Sequence, residues 1–268
     1  MTPRSATVMA SKRDPAGINI IRHLAPKLGS AKSPFDIGIA EVEEEIVNSE
    51  RGPDNLSPRP EIAVFASKHR SESGRPCLTV HPPGNFGSAD LGGKPGAVST
   101  SSPRYMKAAL RSIHRLAGGM DFQVVMEATH HGPFTKVPCY FIEIGSRMDQ
   151  WQDQEAGEVL ASSIMESLGE IREDGPVAFG LGGPHYSRRF TRLMVETDYA
   201  ISHIVPRHQM KLFGSGLLKQ LLAGSDPRPD LAIIEWKGMR GGERRSALAC
   251  LEESGIEYRR LRDCLREV

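Results

Sequence analysis

The sequence predicts an α/β fold in which helices flank a mixed, mostly parallel sheet. Short apolar runs, bounded by Gly, Pro and polar residues, alternate along the chain with longer segments of helical periodicity, which is the pattern of a sheet covered by helices. The first apolar run also ends in a turn that leads straight into a helix. Such a strand–turn–helix opening is typical of α/β folds, and its turn usually faces a ligand.

In the first half of the chain, the predicted strands are short and end in polar segments. Residues 6–11 form the first strand, after which Asp14 is placed to cap a helix that has Pro15 at its first position. Later strands are predicted over residues 35–40, 62–66 and 78–80. The chain from there to residue 102 is rich in Gly, Pro and Ser, and so long a loop inside a compact protein is usually functional or mobile.

The second half continues this alternation. A helix is predicted from Pro103 to about Leu116, ahead of Gly118 and Gly119. Further strands are predicted over residues 122–126, 140–144, 177–179, 199–205 and 231–236, and further helices over residues 151–168, 217–222 and 242–254. Because no repeat or strong linker divides the chain, we expect one compact domain over residues 1–268.

The composition is that of a globular protein: of the 268 residues, 39% are hydrophobic and 25% are charged. No apolar run is long enough to cross a bilayer and the first residues lack the apolar centre of a signal peptide, so we expect a cytoplasmic protein. The four cysteines form no CxxC pair, which argues against disulfides or a thiolate zinc site. The sequence contains no coiled coil, and we expect a monomer. At a net charge of +1, a polyanionic partner would need local basic patches.

An acid and two adjacent histidines follow the strand that ends near residue 126. Glu127, His130 and His131 are of the residue types that bind metals and transfer protons. In an extended segment the two histidines would point to opposite sides, so that one binds while the other packs. Their spacing alone leaves a purely structural pair equally open.

Other apolar runs also end in segments that carry histidine, namely His69, His81 and His185. In an open α/β sheet such segments converge at the carboxyl edge, and we expect these histidines to meet there. Glu143, at the end of a further apolar run, either joins this cluster or is a carboxylate satisfied by Arg or Lys. Burial would raise the pKa of such an acid unless a partner or a metal offsets it.

A glycine-rich turn over residues 180–183 precedes His185 and Tyr186. Its glycines free the backbone amides of Gly182 and Gly183 to approach a phosphate or an oxyanion. The turn is neither a Walker loop nor a GxGxxG dinucleotide-binding turn. Three arginines follow it at once: Arg188, Arg189 and Arg192.

Basic residues also form a ridge on the helix that begins at Pro103. Lys107, Arg111 and Arg115 lie at positions i, i+4 and i+8, on one side of this helix. The ridge is either a solvated face or a track for nucleic-acid phosphates.

Several segments, in this order along the chain, together resemble one protein family. They are residues 11–20 (SKRDPAGINI), 67–74 (SKHRSESG), 78–85 (LTVHPPGN), 127–133 (EATHHGP), 141–146 (FIEIGS) with Trp151, 180–186 (GLGGPHY) and 236–238 (WKG). The chain resembles the D-aminoacyl-tRNA deacylases of the archaeal and plant type, over almost its whole length. The resemblance implies hydrolysis of the ester that joins a D-amino acid to the terminal adenosine of tRNA. It also implies zinc dependence and a fold similar to purine nucleoside phosphorylases and bacterial peptidyl-tRNA hydrolases.

Two positions depart from the pattern of that family. Ser202 stands before His203 where the family commonly has Gly, and a Tyr usually found shortly afterwards is replaced near His208. The resemblance therefore assigns no direct role to residues 203–208.

We predict a hydrolase in which a metal or a histidine activates water for attack on D-aminoacyl-tRNA. The predicted catalytic residues are His81, Glu127, His130, His131 and His185, and the predicted zinc ligands are His130, His131, Glu143 and His185. The predicted substrate contacts are Lys107, Arg111, Arg115, Gly182, Gly183, Tyr186, Arg188 and Arg189. The sequence lacks the GxSxG turn of many serine hydrolases.

Two alternatives stay open on the sequence alone. One is a different enzyme class on a similar scaffold, either a nucleoside phosphorylase or a metal-dependent amidohydrolase. The other is a non-catalytic tRNA-binding module, which would bind tRNA with a steep salt dependence and leave the ester intact.

Overall fold

The computed structural model describes residues 4–29, 33–49, 52–169 and 174–266. Its strands are β1 (Arg4–Ser11), β2 (Phe35–Val42), β3 (Ile62–Arg70), β4 (Cys77–His81), β5 (Gly84–Asn85), β6 (Ala97–Val98), β7 (Gln123–Met126), β8 (Cys139–Ser146), β9 (Val177–Leu181), β10 (Ala200–Val205), β11 (Leu231–Ile234) and β12 (Glu257–Arg260). Its helices are α1 (Pro15–Leu24), α2 (Pro103–Leu116), α3 (Met148–Trp151), α4 (Gln154–Ser167), α5 (Arg188–Glu196), α6 (Ser215–Ala223), α7 (Gly241–Glu253) and α8 (Leu261–Cys264).

The longer strands form two sheets. Six of them lie in the order β2-β1-β3-β8-β4-β7, and four lie in the order β10-β9-β11-β12. Neighbours in both sheets run parallel, except that β4 is antiparallel to β8. The predicted α/β class with a mixed, mostly parallel arrangement is confirmed, although the strands divide between two sheets instead of forming one.

The two faces of the six-stranded sheet have different surroundings, because successive side chains of a strand point to opposite faces. Val64 and Ile142 point to the face that α1, α2 and α4 cover, and they belong to the larger hydrophobic core. Phe65 and Phe141 point to the other face, where they belong to a smaller core. Farther along β3 and β8, this second face becomes polar, and the candidate site lies there.

The larger core is shared between the two sheets. It contains residues of the six-stranded sheet together with Ile201 of β10 and Ile233 of β11. The single domain over residues 1–268 stays a prediction, and the shared core favours it. None of the described helices has the length and apolar character needed to cross a membrane.

Asp14 joins the first strand–turn–helix unit to the strand that leads into the site. One carboxylate oxygen accepts the backbone amides of Ala16 and Gly17 at 2.9 and 3.0 Å, which is the predicted N-cap of α1. The other oxygen accepts the amide of Lys68 at 2.8 Å and the hydroxyl of Ser67 at 3.1 Å. A single buried side chain therefore fixes the end of β3 directly before His69.

Some element boundaries differ from those predicted. β3 continues through His69 to Arg70, where a loop was expected from residue 67, because β8 pairs with it up to its last residue. The helix expected over residues 151–168 begins three residues later, at Gln154, since Asp153 caps it by accepting the amide of Ala156. The sequence prediction also lacks α5, β12 and α8. In β12 the side chains alternate between exposed and half-buried, so this edge strand has no apolar signature.

His203 connects the two sheets inside the protein. The ring is fully buried on β10, and Nε2 lies 3.1 Å from the carbonyl of Ser99 and 2.7 Å from that of Gly224. Carbonyls only accept, so Nε2 carries the hydrogen and Nδ1 accepts from the hydroxyl of Thr129, 3.0 Å away in the loop after β7. Burial lowers the pKa of His203 to about 4 despite these carbonyls.

We expect the free energy of unfolding to fall as the pH is lowered from 6.5 toward 4. In this window the unfolded chain protonates His203 while the folded protein keeps it neutral. The contribution is fully present above pH 6.5 and is lost at about 1.4 kcal/mol for each pH unit. Urea unfolding at pH 7 and pH 5 measures the fall. The variant His203→Gln, which keeps a donor but does not titrate, should show a smaller fall, and an equal fall in both proteins would contradict the assignment.

Candidate active site

The register of β3, β8 and β4 places polar residues side by side on one face of the sheet. Glu143 of β8 lies opposite Ser67 of β3 and Thr79 of β4. His69 follows Ser67 by two residues, and His81 follows Thr79 by two, so both histidines are on the same face as Glu143. The predicted convergence of strand-end histidines is found, but on a sheet face and not beyond one edge. The antiparallel direction of β4 is the reason, because it sends His81 back along β8.

Glu127 lies at the centre of this face, directly after β7 and beside His81. Its carboxylate has no exposed surface. Oε2 accepts from His185 Nε2 at 2.9 Å, and Oε1 lies 3.2 Å from His69 Nδ1. Burial alone would raise the pKa of Glu127, but the hydrogen bonds from His185 and His69 lower it well below its usual range. Glu127 is therefore an ionised carboxylate inside the protein.

His69 is the positively charged partner of two acids. Its Nδ1 lies 3.4 Å from Glu143 Oε2 as well as close to Glu127, and its Nε2 donates to the hydroxyl of Tyr186 at 2.5 Å. Burial works against a charge on the ring. The two carboxylates outweigh it and raise the pKa of His69 to about 12, so the ring is an imidazolium that donates from both nitrogens.

Glu143 completes a cluster with an excess of negative charge. Burial would raise its pKa, yet the contact with the charged ring of His69 lowers the pKa to about 2. Oε2 accepts from the hydroxyl of Thr79 at 3.4 Å. Of the two possibilities left open for Glu143, membership of the histidine cluster is the one that the structure has, and its partner is a histidine instead of Arg or Lys. Two carboxylates with one imidazolium leave the interior suited to a further cation.

The rings of three other histidines, His81, His130 and His131, pack against one another. The rings of His81 and His130 are 4.1 Å apart, and those of His130 and His131 are 4.2 Å apart. In each of the three rings, Nδ1 lies within hydrogen-bond distance of a backbone carbonyl, at 3.3, 2.9 and 2.6 Å for His81, His130 and His131. Because a carbonyl only accepts, the hydrogen is on Nδ1 and each Nε2 offers a lone pair.

This arrangement is the one that metal-binding histidines use, with the second ring nitrogen tied to a carbonyl that fixes the tautomer. Nε2 of His81 is buried and has no hydrogen-bond partner among the described residues, so a cation would satisfy it. Burial and the neighbouring ring of His81 lower the pKa of His130 well below its usual range and that of His131 to about 4. These rings are neutral, which is the form that binds a metal.

Among the residues that the structure describes, three groups of side chains each have donor atoms close enough together to bind a metal ion. They are His81 with His130 and His131, Glu127 with His130 and His185, and His69 with Glu127 and Glu143. The set predicted from the sequence, His130, His131, Glu143 and His185, does not coincide with any of these groups. His81 lies with His130 and His131 because β4 brings it against the loop after β7. The zinc ligands themselves stay a prediction.

His130 and His131 both face the cluster, which corrects the expectation that one of them would point away. The reason is the backbone of His131, whose φ of 44° lies in the left-handed region. The segment is therefore not extended, and the two rings turn to the same side. A φ of this sign is uncommon outside glycine, and such residues concentrate at active sites.

The clusters open into a cleft of about 510 Å³. Its lining includes Lys68, His69, His130, His131, His185 and Tyr186. His185 is the most exposed member of the Glu127 cluster, with 34% of its side chain accessible. Tyr186 also lines a second cavity, of about 230 Å³, together with Cys77 and Arg188. The side chain of Tyr186 therefore lies between the cleft and this second cavity, where it is hydrogen-bonded to His69.

The amides of Gly182 and Gly183 are not available to an oxyanion, contrary to the sequence prediction. Gly182 donates to the carbonyl of Val205 at 2.9 Å, and Gly183 donates to that of Gly238 at 3.4 Å. Both residues have positive φ, at 88° and 84°, and a Cβ on Gly183 would lie 2.3 Å from Glu235 Oε2. Glycine is required here by the backbone turn and by the close approach of Glu235.

The basic ridge of α2 lies in a separate cavity of about 360 Å³. Arg111 donates to the carbonyls of Met194, Val195 and Thr197 at the end of α5, and Arg115 is paired with Glu166. Lys107 is buried, and its pKa is lowered to about 8 by burial and by the charge of Arg111. The phosphate track along this ridge stays a prediction, but two of its three donors already have protein partners.

The arginines after the glycine-rich turn are only partly engaged. Arg188 donates to the amide oxygen of Gln123 at 3.1 Å and is exposed. Arg189 lies 3.5 Å from Glu235, and Arg192 pairs with Glu196 within the same helix. The pair Arg192–Glu196 is exposed and contributes little stability, whereas Glu235, the partner of Arg189, is buried.

The sequence prediction omitted His69 from the site residues, although it is the ion that holds two acids together. The available signal was its place two residues after Ser67 in a strand that alternates between packed and polar positions. Continuing that strand beyond residue 66 would have placed His69 next to Glu143. Thr79 and Lys68 were missed for the same reason, since short strand assignments hid which face each residue occupies.

Comparisons with known proteins identify relatives over most of the chain. The family model described as D-aminoacyl-tRNA deacylase matches residues 56–259. A D-aminoacyl-tRNA deacylase of Thermococcus onnurineus is 36% identical over 94% of this chain and 98% of its own length. One of Pyrococcus furiosus is 35% identical with the same coverage. The crystal structure of a conserved protein of unknown function superposes with a TM-score of 0.90 and 30% identity, covering 99% of this chain and 98% of that protein.

Replacing His69 should destabilise the fold more than replacing its neighbour Tyr186. The variant His69→Ala leaves two buried carboxylates without their cation, so we expect a loss of about 3–5 kcal/mol in the free energy of unfolding at pH 7. The control Tyr186→Phe removes one hydrogen bond and should cost about 1 kcal/mol. Urea denaturation measures both. A loss below about 1 kcal/mol for His69→Ala would show that the ring is not the counter-ion of these acids.

Proposed function

This chain belongs to the D-aminoacyl-tRNA deacylase family, and from that premise we propose that the cleft around Glu127 is its active site. The chain is a hydrolase that splits D-aminoacyl-tRNA into the free D-amino acid and tRNA. The reaction requires a water molecule to be deprotonated and aimed at an ester carbonyl. It also requires the ribose oxygen to receive a proton as it leaves.

The observation that carries the proposal is the pair formed by Glu127 and His185. A carboxylate with no exposed surface accepts from Nε2 of an imidazole that reaches into the cleft. This fixes the hydrogen on Nε2, so Nδ1 has a lone pair directed elsewhere, and it has no hydrogen-bond partner within the described part of the chain. A buried carboxylate that orients a histidine is the arrangement by which hydrolases build a general base.

In this proposal His185 moves the proton in both halves of the reaction. Nδ1 takes a proton from water as the water oxygen bonds to the carbonyl carbon. The same nitrogen returns the proton to the ribose oxygen when the carbon–oxygen bond of the ester breaks. Glu127 stays ionised throughout and stabilises the transient imidazolium, as the buried acid of a catalytic triad does. His69 in turn keeps Glu127 charged and in place.

The residues present fit a zinc ion, which we propose as the cofactor. His81, His130 and His131 would hold it, since three imidazoles with carbonyl-tied Nδ1 atoms suit zinc and the buried Nε2 of His81 lacks a partner. A bound zinc ion supplies Lewis acidity that polarises a carbonyl and lowers the pKa of water to about 7. The excess negative charge of the Glu127 and Glu143 cluster would further favour a cation.

Substrate contacts and setting also belong to the proposal. Tyr186, on the wall of the cleft, the exposed Arg188 and the partly buried Arg189 would contact the amino acid or the terminal nucleotides. Contacts to phosphates position a nucleic acid without reading its sequence, so one enzyme can act on tRNAs of different sequence.

We propose a cytoplasmic, monomeric enzyme. A phosphorylase on the same scaffold would differ in requiring inorganic phosphate for turnover.

The direct test is hydrolysis of D-tyrosyl-tRNA and L-tyrosyl-tRNA by the protein, with and without a chelator. We expect faster release from the D-ester and no dependence on inorganic phosphate. Replacing His185 by Ala should lower kcat/KM by about 100-fold or more, because a general base contributes this much. The variant His114→Ala, at an exposed position on α2, is the control and should act like wild type. Equal rates on both esters would contradict the chiral assignment.

A zinc-binding measurement distinguishes the proposed zinc ligands His81, His130 and His131 from the proposed base His185. We expect His130→Ala to lose zinc in a calorimetric titration and to lose activity, whereas His185→Ala should keep zinc and lose only activity. Full activity after exhaustive chelation would show that hydrolysis does not need zinc, and the Glu127–His185 pair would remain as the catalytic group. Near-wild-type rates for both variants would show that the cleft is not the active site.

A further inference from the structure

We propose that the surface around Trp236 binds the phosphate backbone of the tRNA substrate. This Trp236 surface comprises Trp236, Lys237, Arg260, Arg262 and Arg266, which border a cavity of about 350 Å³ at the carboxyl end of β11. The inference rests on the proposed function, because it describes where the tRNA runs once its end has entered the cleft.

The Trp236 surface has an excess of positive charge. Within the described part of the chain, no carboxylate lies at ion-pair distance from Lys237, Arg260 or Arg266. Arg262 pairs only with its exposed neighbour Asp263, at 3.1 Å. For a chain with a net charge of +1, so many unpaired cations in one place form a local patch that attracts a polyanion.

Two arginines are held in position by stacking. The guanidinium groups of Arg244 and Arg260 lie over the Trp236 ring, at 4.6 and 4.0 Å from its centre. Arg244 also donates to the carbonyl of Trp236 at 3.1 Å. Stacking uses the flat face of a guanidinium and leaves its edge free, and that edge has the fork of donors that matches a phosphate. Trp236 therefore presents an oriented donor group instead of a flexible side chain.

The Trp236 surface is attached to the loop that carries His185. The turn of residues 236–238 follows β11, and its Gly238 accepts the amide of Gly183. Arg189 connects the same two segments through Glu235 at 3.5 Å. Arg189 also lines the cavity of the Trp236 surface and follows His185 by four residues, which is at most about 14 Å of chain. A nucleic acid whose last nucleotide lies in the cleft would thus reach this surface next.

The test compares a charge reversal on the Trp236 surface with a matched reversal elsewhere. The variant carries Arg262→Glu and Arg266→Glu, both exposed. The control carries Arg22→Glu, exposed on α1 on the helix-covered side of the first sheet, and Arg228→Glu, exposed before the start of β11. Both proteins change by the same net charge. Circular dichroism and thermal unfolding first establish that each variant folds.

Three quantities are measured: the Kd for uncharged tRNA across a salt series, KM and kcat for D-tyrosyl-tRNA, and the hydrolysis rate of the small ester D-tyrosyl-adenosine. For the Arg262→Glu, Arg266→Glu protein we expect Kd and KM to rise about 10-fold or more. The slope of log Kd against log salt should fall by about two, one for each lost phosphate contact. Hydrolysis of the small ester should stay within about twofold of wild type, because it has no phosphate to hold.

The outcomes separate this inference from the proposed function. Unchanged Kd and KM for tRNA, or equal effects of the two double variants, would overturn the Trp236 surface as a tRNA site. Equal losses on tRNA and on the small ester would also overturn it, since the change would then act on the cleft. If the wild-type protein hydrolysed neither ester, the proposed function would fail, while the Kd for uncharged tRNA would still decide the binding surface.

Discussion

The site depends on keeping an ionised carboxylate in a position without solvent. Glu127 has no exposed surface, yet its pKa lies well below the usual range because His185 and His69 hold it by hydrogen bonds. Removing an ion from water costs several kcal/mol, so such a charge persists only with close partners. His69 comes from β3, His185 from the turn after β9, and Glu127 itself from the end of β7. One charge therefore connects both sheets at the cleft.

The same constraint explains why the neutral and charged histidines are separated. His69 lies between two acids and is an imidazolium, with its pKa raised to about 12. His131 lies among other histidines, and burial and these neighbours lower its pKa to about 4. The first ring offsets part of the buried negative charge, whereas the second ring is neutral. The two imidazole rings therefore have opposite pKa shifts because their neighbouring groups differ.

Much of this architecture can be predicted from the sequence. The apolar runs predict the strands, and Asp14 with Pro15 predicts the start of α1. The histidines that follow strands do meet. What pattern analysis cannot show is the direction of each strand, and the antiparallel pairing of β4 with β8 brings His81 against His130 and His131. It also cannot show a φ such as that of His131, which turns both adjacent rings to one side. Pattern analysis also cannot identify hydrogen-bond partners that lie far apart in the sequence, such as the carbonyls of Met194 and Thr197 that accept from Arg111.

The central claim is that the charge of Glu127 holds His185 as the base that acts on the ester. The most direct measurement is kcat/KM for D-tyrosyl-tRNA with the variant Glu127→Gln, which keeps the size of the side chain and removes its charge. We expect a fall of about 100-fold or more in the folded variant. The Kd for uncharged tRNA should stay close to that of wild type. A folded Glu127→Gln protein with nearly wild-type kcat/KM would show that hydrolysis does not need the charge of Glu127.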